Sequence, residues 1–123
     1  MSPWDYERHC AELLQGLGWT ARVTKGSGDQ GTDVLAEKDG VRVVLQCKKY
    51  AKPVGNKAVQ EALAAMKFED AEFAAVVSNV TFTPAAQALG QKGGVALLHH
   101  SELDRLEEMT AEARRTGKKN DAT

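Results

Sequence analysis

Asp33, Gln46 and Lys48 are the residues of this 123-residue chain whose types and spacing lend themselves to chemistry. Asp39-Gly40 is a strong type I′ hairpin signal, so the strands on either side run antiparallel. Pairing centred on that turn sets Asp33 opposite Gln46, with Lys48 on the same side one pleat further on. A carboxylate, an amide oxygen and an ammonium then meet at one end of a hairpin. A carboxylate and a neutral oxygen can hold a hard cation that keeps several of its waters. Such a cation polarises a phosphoryl oxygen and acidifies a bound water, and a lysine beside it can orient or deprotonate that water and screen developing charge. The main-chain carbonyl of Cys47 lies between the two side chains as a further ligand. Glu7 adds a second carboxylate, directly or through water, if the first helix packs over the strand ends. The chemistry fits a magnesium-dependent phosphodiesterase. Taken alone, the same three residues also describe the polar face of a solvated sheet.

The elements that must position these groups follow from periodicity and caps. A helix is predicted over Pro3 to Leu17, started by a Ser2-x-x-Asp5 box and a proline at its first position. Tyr6, Cys10, Leu13, Leu14 and Leu17 form its apolar stripe, Glu7 sits at the border of that stripe, and Gly18 closes the helix. Strands are predicted over Trp19 to Thr24, Thr32 to Lys38 and Val41 to about Lys49, with the glycine-rich run 26–31 as a flexible connector between the first two. In the third strand Val43, Leu45 and Cys47 share one face, and Arg42, Val44, Gln46 and Lys48 the other. Asn56 is expected to cap a helix from about Lys57 to Phe68 with Val59, Leu63 and Met66 inward. Phe73 to Ser78 reads as a strand buried on both faces. Thr83-Pro84 opens a helix ending at Gly93-Gly94, Val95 to His99 is a fifth strand, and Ser101 to Asp104 is a capping box for a last helix. A hairpin meander feeding strand–helix–strand crossovers implies an α/β fold with a mixed sheet between helices.

Composition sets the bounds. At 42% hydrophobic and 27% charged, the chain has the make-up of one globular domain, here placed at residues 1–109, with a frayed helix end and disordered tail at 110–123. No apolar run approaches the roughly 20 residues of a membrane helix, and the start lacks a signal-peptide pattern. Two cysteines without zinc spacing exclude a disulfide scaffold and a zinc module, and a reduced cytoplasmic protein is the default. The net charge is only −1, yet residues 38–57 carry Lys38, Arg42, Lys48, Lys49, Lys52 and Lys57 against Asp39 alone, a local +5. That strip suits a phosphate backbone, with Lys49, Lys52 and Lys57 as contacts; it equally suits an edge strand guarded by lysines.

The set as a whole resembles a known family. Gly26-Ser-Gly-Asp-Gln-Gly-Thr-Asp33-Val, Val44-Leu-Gln46-Cys-Lys48-Lys-Tyr50, Val54-Gly55 and Ala58-Val59-Gln60-Glu61 are similar to the Mrr-type restriction endonuclease domain. Tyr6-Glu7 to Leu13-Leu14, Gly18-Trp19 and Phe82-Thr83-Pro84-Ala85-Ala86 extend the likeness from about residue 5 to residue 106. The resemblance implies the PD-(D/E)xK nuclease superfamily and its restriction-endonuclease-like αβββαβ core. It makes Asp33 the metal-binding aspartate, Lys48 the motif lysine, Glu7 the helix-one glutamate that supports the metal, and Gln60 a polar helix residue near the site. Gln46 stands where the superfamily usually has Glu or Asp, a form familiar in Mrr-type members. With one fewer negative charge, metal binding is weaker unless Glu7 contributes. The implied metal is Mg²⁺, with Mn²⁺ able to substitute. The implied partners are DNA and a second copy of the chain, since cutting both strands favours a C2 dimer. A chain of this length has no room for the recognition domain that such enzymes usually carry, so a separate DNA-recognition partner is expected, or cleavage that is structure-specific or nonspecific.

Two competing readings use the same residues: a Holliday-junction-resolvase-like nuclease, which shares the core, and a non-catalytic DNA-binding module with a decayed site. Other chemistry-bearing residues read as structural. His99 and His100 suit a surface or capping role, His9 faces the polar side of its helix, Cys10 and Cys47 look like small buried hydrophobes, and Trp4 and Trp19 look like packing residues.

Overall fold

A computed structural model describes residues 2–24 and 33–111. The glycine-rich run 26–31 and the tail from 112 lie outside the described residues, so the readings made of them are not addressed. Helix α1 (Pro3–Gly16) begins with the expected reciprocal cap: Ser2 Oγ accepts from Asp5 N, and Asp5 Oδ2 accepts from Ser2 N. Strands β1 (Thr20–Val23), β2 (Val34–Lys38) and β3 (Val41–Lys48) form an antiparallel meander. Asp39 and Gly40 both have positive φ, 53° and 81°, as a type I′ turn requires. The resulting register pairs Val34 with Leu45 and Lys38 with Val41, the alignment predicted from the turn.

The chain then crosses over twice. Helix α2 (Asn56–Phe68) leads to β4 (Phe73–Ser78), and helix α3 (Pro84–Gly93) leads to β5 (Val95–His99). Both new strands run parallel to β3, and the five strands lie in chain order across one sheet. Strand β4, paired between β3 and β5, is covered on both faces, which explains its continuous apolar run Phe-Ala-Ala-Val-Val.

Alternation sorts the core into two layers. Val34, Ala36, Val43, Leu45, Cys47, Ala75 and Val77 face α1, which answers with Tyr6, Cys10 and Leu14. Leu35, Val44, Ala74 and Val76 face α2 and α3, which answer with Ala58, Val59, Ala62 and Ala86. The α2 face toward the sheet is thus built of Ala and Val, while Leu63 and Met66, expected inward, are only partly buried at its margin.

Three local expectations are corrected. Gly55, not Asn56, is the N-cap of α2, and Asn56 already lies inside the helix. Ser101 does not cap the last helix. The box is instead His99 with Glu102, around a 3₁₀ turn at His100–Glu102, and residues 105–111 are helical beyond it. Leu17 and Trp4 do not pack: they are 38% and 64% exposed, whereas Trp19 is buried. The helical stretch includes Thr110, which is buried with its hydroxyl bonded to the Leu106 and Glu107 carbonyls.

Candidate functional site

The site forms just before the start of β2, beside the last residues of β3. β2 begins at Val34, so the preceding residue meets β3 with its side chain instead of a ladder rung. Asp33 Oδ2 accepts from the Cys47 main-chain N–H at 2.8 Å, while its own carbonyl accepts from Thr24 N. This fixes the carboxylate at the residue between Gln46 and Lys48. Gln46 is fully buried, and among the described residues neither its amide oxygen nor its amide nitrogen has a hydrogen-bond partner. An unpaired buried amide costs about 1–3 kcal/mol. Such a residue opposes folding, which makes it a candidate for binding.

Glu7 reaches this point from α1. Its neighbours Tyr6, Cys10 and Ala11 are buried against the sheet, so the helix is held with Glu7 at its sheet-facing border. Burial first, then the charge of the neighbouring Asp33, pushes the Glu7 carboxyl up to about 7. Burial also raises Asp33, opposed by the Cys47 N–H and by Lys48. The neighbouring Asp33 charge thus favours the protonated form of Glu7. Beneath them Cys10 and Cys47 are both buried free thiols in one cluster with Tyr6, as expected of small hydrophobes.

Lys48 is engaged from the other layer. Its Nζ lies 2.9 Å from Glu61 Oε1, with side chains 18% and 33% exposed. Burial disfavours the ammonium, but the hydrogen bond and charge of Glu61 outweigh it, and the net shift is upward. Sequence reasoning missed Glu61 and chose its neighbour Gln60, which is exposed. The signal was available. Glu61 lies three residues after Ala58 and four before Ala65, both on the buried stripe of α2, and Gln60 does not.

The chain leaving β3 is pinned beside the site. Ser78 Oγ donates to the Lys48 carbonyl at 2.6 Å. The Asn79 amide accepts from Tyr50 N and donates to Tyr50 O, at 2.9 and 3.1 Å. Lys49, Tyr50, Lys52 and Lys57 are exposed along this segment and the start of α2. Away from the site, His99 caps the 3₁₀ turn, and His100 stacks on it at 4.1 Å between ring centroids and bonds Tyr6. His9 is partly buried against the His100 ring and so is not simply solvated.

The donors present suit a hard divalent cation. Among the described residues no three His, Cys, Asp or Glu side chains are grouped to hold a metal. The set is instead Asp33, the Glu7 carboxyl whose proton is held more tightly than usual, and the unpartnered Gln46 amide oxygen. A cation bound there would replace the proton and satisfy the amide.

A mixed five-stranded sheet with helices on both faces, the αβββαβ order and Asp33 opposite the Gln46-x-Lys48 stretch define a restriction-endonuclease-like fold. The chain belongs to the Mrr-type restriction endonuclease family, which it matches over residues 1–107. No curated protein matches it. Similar solved structures include a protein of unknown function, AF1548, with TM-score 0.69 and 22% identity over 89% of this chain and 66% of that one. The DNA modification-dependent restriction endonuclease AspBHI has TM-score 0.62 and 22% identity, over 90% of this chain and 32% of its own. The MspJI restriction endonuclease, solved with a 27-mer oligonucleotide, has TM-score 0.54 and 20% identity, over 80% and 25%. The chain thus spans about a quarter to a third of the two restriction endonucleases it resembles. None of the described helices is long and apolar enough to cross a membrane.

Proposed function

We propose that this domain is a metal-dependent DNA endonuclease that hydrolyses phosphodiester bonds at Asp33, Gln46, Lys48 and Glu7. The observation that carries the reading is the buried, unpartnered amide of Gln46 next to Cys47, whose N–H holds the Asp33 carboxylate. Asp33, Glu7, the Gln46 amide oxygen and the Cys47 carbonyl would hold Mg²⁺, or Mn²⁺ in its place. When bound, the ion supplies Lewis-acid polarisation of the phosphoryl oxygen and acidifies water. Asp33 is aimed by the Cys47 N–H, so it reaches its working position without reorganisation. Lys48 offers a positive charge to the phosphate as negative charge develops there. Lys49, Lys52 and Lys57, with Gln60 on α2, provide contacts to the DNA backbone, which fix register and carry no sequence information. A C2 dimer would present one site to each strand. Selection of the DNA target falls to a separate recognition partner.

The test is incubation of supercoiled plasmid with the protein in Mg²⁺, Mn²⁺ or EDTA, beside folded Asp33→Ala and Lys48→Ala variants. Metal-dependent nicking by the wild type, lost in both variants, is the expected result. Cleavage restricted to branched DNA would move the reading to a junction resolvase. Salt-dependent binding without cleavage of plasmid, single-stranded or branched DNA would leave a binding module and overturn the proposal.

A further inference from the structure

We propose that Glu61 is the positioning residue for Lys48: its carboxylate holds the ammonium in place and supplies beside it the negative charge that Gln46 does not. The inference rests on the nuclease reading and adds to it a residue from the first crossover helix, α2. Lysine is a flexible point charge on a four-carbon stem, and Lys48 stands at the last residue of β3, where the strand no longer constrains its tip. Among the described residues Glu61 is the one carboxylate at ion-pair distance from Lys48 Nζ, at 2.9 Å.

Both partners sit on regular elements. Glu61 is carried on α2, whose Ala58, Val59, Ala62 and Ala65 are packed on the sheet. This packing fixes the base of the Glu61 side chain relative to the sheet. The pair is largely shielded, with side chains 18% and 33% exposed, unlike the ion pairs of Arg8 with Asp5 and Arg105 with Glu102, whose side chains are 42–66% exposed. Geometry held on two rigid elements is what a reacting centre needs and what a mobile surface pair lacks.

The charge balance points the same way. Position 46 is neutral, so nothing from β3 itself offsets Lys48. Glu61 comes from α2 to the Lys48 ammonium, while Asp33 is held by the Cys47 N–H and stands against Glu7 from α1, which leaves those two carboxyls available to a cation. One carboxylate serves the lysine and two serve the metal.

The separating experiment compares wild type, Glu61→Gln, Glu61→Asp, Lys48→Ala and the Lys48→Ala/Glu61→Gln double variant, each checked for folding by thermal unfolding. In Glu61→Gln the single-turnover cleavage rate should fall about 10- to 100-fold, while DNA affinity measured in EDTA stays the same or tightens, because a negative charge near a polyanion has been removed. Glu61→Asp keeps the charge and should retain an intermediate rate. The double variant should be no slower than Lys48→Ala alone, since Glu61 acts only through the lysine. A readout independent of cleavage is the ¹⁵Nζ ammonium resonance of Lys48 in the metal-free protein. It should be visible in the wild type and lost in Glu61→Gln.

A folded Glu61→Gln variant that cuts at the wild-type rate while Lys48→Ala does not would overturn this inference and leave the nuclease reading intact. A variant with unchanged rate per folded molecule and only a lower melting temperature would show a structural ion pair and would overturn it too. Failure of the wild type to cut any DNA with any metal would defeat the nuclease reading itself, and this inference with it.

Discussion

The Cys47 main-chain N–H donates to the Asp33 carboxylate at 2.8 Å, so β3 aims the aspartate of β2's leading edge. The hydrogen bond and the proposed metal role can be separated by substitution. Asp33→Asn keeps an acceptor for Cys47 but loses the charge. It should fold with near-wild-type stability and cleave at least about 100-fold more slowly, the scale associated with losing a preorganised charge-stabilising group. Asp33→Ala should lose a similar amount of activity and, in addition, about 1 kcal/mol of stability. Urea melts with plasmid nicking on the same preparations measure both, and equal stability of the two variants would contradict the hydrogen bond's role.

In the proposed site, Gln46 sets stability against function. Its buried amide has no partner among the described residues. Gln46→Leu should therefore raise stability by about 1 kcal/mol while abolishing cleavage. Gln46→Glu should bind Mg²⁺ more tightly than wild type in a calorimetric titration. A destabilised Leu variant would mean that the amide is satisfied in solution.

The pH response follows from Glu7. Its carboxyl holds its proton up to about 7 in the folded chain against an ordinary value of 4.5. A group raised on folding contributes stability that is fully present below its ordinary value and is lost as pH rises through the folded one. In EDTA, stability should therefore decline between about pH 5 and pH 8, and Glu7→Gln should flatten that decline. Metal binding must displace the same proton, so Mg²⁺ affinity should rise from pH 6 to pH 8 and titrations near pH 6 should release a proton into the buffer. An unaltered pH slope in Glu7→Gln would refute the assignment.

Asn79 anchors the segment after Lys48 through both main-chain groups of Tyr50. Asn79→Ala should cost about 1–2 kcal/mol for two lost hydrogen bonds. It should also weaken DNA binding several-fold by loosening the segment that carries Lys49 and Lys52, with a smaller effect on the rate at saturating DNA. Fluorescence anisotropy at several salt concentrations checks this, and unchanged affinity would remove that segment from the interface.

Much of this arrangement was legible in the sequence because it is local. Asp39-Gly40 fixes a turn type, the turn fixes a register, and the register brings Asp33 to Gln46. Phe73–Ser78 was readable to the residue because a strand buried on both faces leaves no room for polar interruptions. The spacing of α2 places Glu61 beside the buried stripe but does not give its pairing with Lys48, which joins a helix to a strand through a connection whose geometry no spacing rule supplies. The unpaired state of Gln46 was invisible for a related reason: a strand position announces its face, not what lies above it. The cap of α2 was misplaced by one residue because glycine in an extended conformation can begin a helix without a side-chain bond, leaving the better capping residue, Asn56, inside.

The sheet runs in chain order from β1 to β5. Each ladder therefore joins segments that follow one another directly, and Asp33, Gln46, Lys48 and Glu61 all come from the run 33–61. Most of the constellation can thus assemble early, with only short loops to close before contacts reward them. Glu7 alone arrives from elsewhere, when α1 settles on the sheet. Docking of that one helix completes the proposed cation cage, so a folding intermediate with α1 undocked would hold the residues proposed to contact DNA in place yet lack the second carboxylate.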